Sequence, residues 1–159
     1  MRIHDILTPR RIAIRLHVSS KKRLLEEICA LLASDTTSGV DSTGAFQSLL
    51  ERERLGTTAI GHGVALPHGR LAGLQMPVGA FATLAEEIDC DAADGKPIRL
   101  VFALLVPENA NEEHLQLLAQ LASMFNDKEL CQQLSRAVSQ DTIYRLLIGE
   151  RGTTERKAG

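Results

Sequence analysis

Residues Leu100-Val101-Phe102-Ala103-Leu104-Leu105-Val106 form an unbroken apolar run of seven residues. A membrane-spanning helix takes about 20 apolar residues, so this run cannot be one. Closed by Pro107-Glu108-Asn109, it suits a central strand buried on both faces. Such a strand has to be covered on each side, so the rest of the chain must provide two layers.

Amphipathic helical patterns provide them. Leu24, Leu25, Ile28, Leu31 and Leu32 follow the candidate cap Ser19-Ser20 at helical spacing. A second helix is predicted from Asp41 or Ser42 to Leu55. It would bury Phe46, Leu49 and Leu50, with Gly56 as a left-handed cap. Three more helices are predicted after the apolar run. The first, capped by Asn111, buries Leu115, Leu118 and Leu121, with Phe125 at its end. The second starts near Asp127 with Leu130 and Leu134. The third starts near Ser139 with Ile143, Leu146 and Leu147, before Gly149.

Ile12 to Leu16 and Val78 to Leu84 alternate as strands, and Val64-Ala65-Leu66 is a short one running into a sharply shaped loop. The pattern is a single α/β (α+β) domain over residues 1–149, followed by a polar, flexible tail over 150–159. At 159 residues and 44% hydrophobic, the chain buries enough surface to fold without staples.

Charge and cysteines narrow the function. A formal net charge of −2 gives no electrostatic footprint for nucleic acid. Residues 1–15 lack the apolar stretch of a signal peptide. Cys29, Cys90 and Cys131 are odd in number and form no CxxC, so they are expected to be inert core thiols. A cytoplasmic protein with no membrane insertion is expected.

The chemistry concentrates between Arg52 and Arg70. Pro67 holds Leu66 extended, and Gly69 relieves crowding beside His68, so an imidazole stands at the end of a strand with open backbone beside it. A neutral imidazole has a lone pair and can act as a nucleophile. A plain surface turn fits the same residues. Arg52, near the end of the second helix, is either a solvated charge paired with Glu51 or Glu53 or a fork for phosphate or carboxylate. His114, in the first turn after Asn111, is either an ordinary polar residue or a neutral donor to an anion at a helix N-terminus. His62 has no Cys, Asp or Glu at ligand spacing, so no metal is expected. His4 and His17 are read as surface residues. A GxxxxGK[ST] phosphate loop and a GxSxG elbow are both absent.

The run Arg52-Glu-Arg-Leu-Gly-Thr-Thr-Ala-Ile-Gly-His-Gly-Val-Ala-Leu-Pro-His68-Gly-Arg-Leu resembles the active-site signature of enzyme IIA proteins of the fructose/mannitol class. These are phosphoryl carriers of bacterial phosphoenolpyruvate-dependent phosphotransferase systems. Leu100 to Pro107 followed by His114-Leu115 is similar to the family's second signature, and the resemblance runs from about Ile6 to Ile148. Within the family the chain is most similar to the stand-alone, nitrogen-regulatory branch.

The resemblance implies a mixed sheet of about five strands with helices on both sides. It implies that His68 is phosphorylated on Nε2, that Arg52 neutralises phosphoryl charge, and that His114 hydrogen-bonds the phosphoryl group. Thr58 matches the family's hydroxyl residue near the site, and with Gly69 it is expected to bind phosphate. His62, where relatives carry a small polar residue, is expected to add charge at the site rim. The implied donor is an HPr-like carrier, HPr or its paralogue NPr, and no cofactor is needed. Downstream stand regulatory targets or, alternatively, a separate sugar-permease subunit. Ala65, Leu66 and Leu71 are the candidates for an apolar docking collar.

Overall fold

The computed structural model describes residues 1–149; the expected polar tail lies outside the described residues. Strands β1 (Ile12–Leu16), β2 (Ala59–Gly61), β3 (Val64–Ala65), β4 (His68–Leu71), β5 (Val78–Ile88) and β6 (Ile98–Pro107) build one mixed sheet. Helices α1 (Lys21–Leu32), α2 (Ser42–Leu55), α3 (Glu112–Met124), α4 (Lys128–Arg136) and α5 (Gln140–Ile148) cover it, with single 3-10 turns at Ile3–Asp5, Pro9–Arg11 and Thr36–Ser38.

The sheet order is β1-β5-β6-β3-β2, and β4 also pairs with β6. The apolar run is therefore the middle strand, as its lack of alternation requires. Its side chains divide between two cores. Val101, Ala103 and Leu105 join Ala80 and Ala82 against α1 and α2. Leu100, Phe102, Leu104 and Val106 join Phe81 against the N-terminal turns, α3, α4 and α5. Phe81, Phe102 and Phe125 meet with ring centroids 6.2–6.3 Å apart in the second core. Each such pair adds about 0.5–1.5 kcal/mol beyond area burial.

Six strands stand where about five were expected, because the glycine-rich stretch is more ordered than a loop. β2 and β3 form a tight antiparallel hairpin, and β4 is a strand in its own right. β3 and β4 run parallel to β6 in one continuous register: Val64 and Ala65 face Leu100 and Val101, and His68 to Leu71 face Leu104 to Pro107. Pro67, which has no N–H to give, fills the gap between them, and its carbonyl accepts from Leu104 N–H at 2.9 Å.

The helix caps fall where expected: Ser20, Asp41, Asn111, Asp127 and Ser139 all accept from backbone N–H groups. Two expectations are corrected. Gly56 closes α2 with φ 160°, which is extended backbone and not a left-handed cap. In α3, Leu117 and Leu121 face the core while Leu115 is 51% exposed, because the helix buries only a narrow stripe. All three cysteines are buried, as expected. Burial pushes the Cys29 thiol up to about 12 and the Cys90 thiol up to about 11, so neither offers a thiolate at neutral pH.

Candidate functional site

The end of α2, strand β4 and the first turn of α3 enclose a pocket of about 700 Å³. His68, Gly69, Arg52 and His114 all line it, so four residues scattered over the sequence meet at one place. Arg54, Arg70, Glu51, Leu55 and Leu115 also line it.

His68 opens β4 and is half-buried. Its Nδ1 lies 2.8 Å from the Leu66 carbonyl oxygen. A carbonyl only accepts, so Nδ1 carries the proton, and in the neutral ring the lone pair is on Nε2. Burial, opposed by that hydrogen bond, holds the His68 pKa below the ordinary imidazole value. The Arg52 charge lowers it further and Glu53 raises it. The ring is thus kept neutral and nucleophilic.

His114 has the opposite arrangement. Asn111 N–H donates to its Nδ1 at 3.3 Å, within the capping box that starts α3. A backbone N–H only donates, so the neutral ring carries its proton on Nε2. One pocket therefore holds a histidine with a free Nε2 lone pair and a histidine with an Nε2–H donor.

Arg52 and Glu53, neighbours on α2, fasten the turn that follows the helix. Arg52 Nη1 donates to the Gly56 carbonyl at 2.9 Å. The Glu53 carboxylate, 7% exposed, accepts from Thr58 N–H at 3.0 Å, from the Thr58 hydroxyl at 2.6 Å and from Lys21 Nζ at 3.2 Å. Thr58 is buried and does not line the pocket; it stands behind Glu53.

Glu53, expected as a possible partner of Arg52, takes Thr58 and Lys21 instead, and two residues not singled out from the sequence belong here, Arg70 and Leu55. Arg70 lies two residues beyond His68, the spacing at which strand side chains share a face. That signal is visible only once 68–71 is known to be a strand. Leu55 is 86% exposed at the pocket rim.

The docking collar is corrected. Ala65 and Leu66 are buried in opposite cores, and Leu71 is half-buried against the first core. The exposed apolar groups at the pocket are Leu55 and Leu115. His62 is also elsewhere: at the β2–β3 tip, φ 59°, its N–H donates to Asp94 at 3.0 Å. It lines a separate cavity of about 410 Å³ with Lys96 and Lys128, so it adds no charge to the His68 rim. Among the described residues no group of three His, Cys, Asp or Glu could hold a metal, and no helix is long and apolar enough to cross a membrane.

The family described as phosphoenolpyruvate-dependent sugar phosphotransferase system, EIIA 2, matches residues 5–149. A nitrogen regulatory protein of Pseudomonas aeruginosa is 41% identical over 93% of this chain and 96% of its own length. The crystal structure of nitrogen regulatory protein IIA-Ntr from Neisseria meningitidis superposes with a TM-score of 0.84 at 43% identity, covering 91% of this chain and 98% of that one. IIA mannitol from Escherichia coli shares the fold, with a TM-score of 0.74 at 22% identity over 89% of this chain and 98% of its own.

Proposed function

The chain belongs to the EIIA 2 family of the phosphoenolpyruvate-dependent phosphotransferase system and is akin to its nitrogen regulatory proteins; on that footing we propose that it is a cytoplasmic phosphohistidine carrier, loaded on His68 by HPr or NPr. The observation that carries this reading is the His68 Nδ1–H bond to the Leu66 carbonyl, which leaves Nε2 as the nucleophile in the pocket.

In the transfer, Nε2 of His68 forms a bond to phosphorus as the N–P bond of the carrier's phosphohistidine breaks. The electron pair of that bond returns to the carrier's ring. The His68 ring gains positive charge, which the Leu66 carbonyl stabilises through Nδ1–H. Arg52 neutralises phosphoryl charge, and Nε2–H of His114 donates to a phosphoryl oxygen. Gly69 lets α2 and β4 approach beside the phosphoryl group. Thr58 serves the site through Glu53 instead of touching phosphate. Catalysis is positioning and charge stabilisation, and no cofactor enters.

Loading adds about −1.5 to −2 charge between Leu55 and Leu115, so the two phosphorylation states present different docking faces to regulatory targets. Incubation with phosphoenolpyruvate, enzyme I and HPr or NPr, followed by intact mass, tests the reading. One acid-labile phosphoryl group, absent in His68→Ala, is expected. No mass gain from either carrier would overturn it. Onward transfer from His68 to a fructose- or mannitol-type permease subunit would point to a sugar-specific carrier instead.

A further inference from the structure

We infer that Arg70 is a positioning residue that holds His114 in place against His68. The inference rests on the reading of His114 as the donor facing the phosphoryl group.

Arg70 and His68 stand two residues apart on β4, and both line the pocket. β4 is paired with the middle strand β6 along its whole length, so the backbone at Arg70 is fixed relative to His68. From there a single nitrogen, Nη1, reaches across to the turn that leaves β6. It donates to the Glu108 carbonyl at 3.0 Å and to the Ala110 carbonyl at 3.2 Å.

That turn leads directly to His114. Ala110 is bonded to Asn111, whose side chain caps α3 by accepting from Glu113 N–H at 3.0 Å. The Asn111 N–H in turn holds Nδ1 of His114. An unbroken path therefore runs from β4 through Arg70, Ala110 and Asn111 to the His114 ring. Besides Arg70, the turn is held by Ala110, half-buried against the second core, and by one bond of its own backbone, Ala110 N–H to the Pro107 carbonyl at 3.0 Å; Glu108, Asn109 and Asn111 are exposed. Nη1 carries two N–H groups, one for each of the two carbonyls, so one side-chain nitrogen ties both to β4.

Two other roles for Arg70 make different predictions. As a direct phosphoryl ligand it would act independently of His114. As a general stabiliser of the turn it would affect folding but not the transfer step in particular. A double-mutant cycle separates them. Arg70→Ala is expected to lower the rate of phosphoryl transfer at saturating carrier about 10- to 100-fold, the scale of one misaligned hydrogen bond to a charged group, with KM for the carrier unchanged. In a His114→Ala background the same substitution is expected to cost nothing further. Arg70→Lys should recover part of the rate. Additive losses in the double variant, or a change confined to KM or to thermal stability, would overturn the inference.

A second measurement needs no transfer at all. In the isotope-labelled protein, the ring nitrogen shifts of His114 should report a hydrogen-bonded Nδ1 in wild type. In Arg70→Ala they should move to those of a solvent-averaged imidazole, while the His68 ring shifts stay put. An unchanged His114 ring in Arg70→Ala overturns the inference even if the protein accepts no phosphate from either carrier.

Discussion

Ser48 on α2 and Gly69 on β4 interlock. A Cβ built on residue 69 would collide with the Ser48 hydroxyl oxygen and would press to 3.3 Å on the Ser48 backbone carbon. The same hydroxyl donates to the Arg70 carbonyl at 2.6 Å. The helix that carries Arg52 and the strand that carries His68 thus touch through a hydroxyl and a missing side chain. Gly69→Ala should force them apart and cost about 1–3 kcal/mol, the range for overpacking a close contact. Chemical denaturation reads the stability loss. A parallel fall in His68 loading should accompany it, because Arg52 moves with α2. A fully stable Gly69→Ala protein would show that the helix–strand approach is not tight.

The pH dependence of loading follows from the His68 environment. In the proposed transfer the nucleophile is the neutral His68 ring, and burial together with Arg52 holds its pKa below the ordinary imidazole value. The loading rate should therefore be level around neutrality and fall only on acidification, through a midpoint lower than that of a free histidine. Arg52→Gln should move the midpoint up, and Glu53→Gln should move it down, since these charges act in opposite directions. An NMR titration of the His68 ring gives all three midpoints. A shift of the same sign in both variants would contradict this account.

Leu55 and Leu115 are the exposed apolar groups at the pocket. Leu55→Asp and Leu115→Asp should each raise KM for the phosphocarrier about tenfold, from lost apolar burial and a misplaced charge against the partner. Neither should disturb folding, because Leu55 is largely and Leu115 half in solvent. Steady-state loading kinetics with purified carrier check this. Equal KM in wild type and variants would remove these residues from the docking face.

Far from the pocket, Arg11 fastens the N-terminal turns to the sheet. Its buried guanidinium donates to the Gly79 carbonyl at 3.0 Å, the Ile6 carbonyl at 3.1 Å and Asp35 at 3.1 Å. Arg11→Met keeps the apolar stem but removes the donor to the Gly79 carbonyl and the buried cation beside Asp35, while the Ile6 carbonyl keeps the Gly79 N–H and Asp35 keeps Thr37; it should cost about 2–4 kcal/mol. Urea denaturation measures it. His68 loading of the folded variant at low temperature should match wild type.

Much of this was legible from local pattern. The unbroken run at 100–106 implies a middle strand, and each helix starts at a side chain that can cap it. His68 stood out because Pro67 and Gly69 frame it. What stayed hidden depends on partners distant in sequence. The short strand at Val64–Ala65 was legible, but β2 and β4 are three and four residues long and each contains a glycine; their pairing with β3 and β6 makes them strands, and no local periodicity carries it. With 68–71 taken for a loop, the shared face of His68 and Arg70 could not be seen. Leu115 fitted the buried stripe of α3 as well as Leu117 did, and only the direction in which the helix docks separates them. His62 lies six residues from His68 in sequence, but the hairpin turns it toward another cavity.

The single register that β3 and β4 share along β6 also limits how such a gene can change. Inserting or deleting one codon between Ala65 and His68 would exchange the faces of the residues from there to the end of β4, turning His68 into a core and an apolar neighbour into the pocket. Length variation among descendants of this sequence should therefore be purged from that interval. It should gather instead in the connection from Asp89 to Pro97, where the chain leaves the sheet between β5 and β6 and no pairing counts residues.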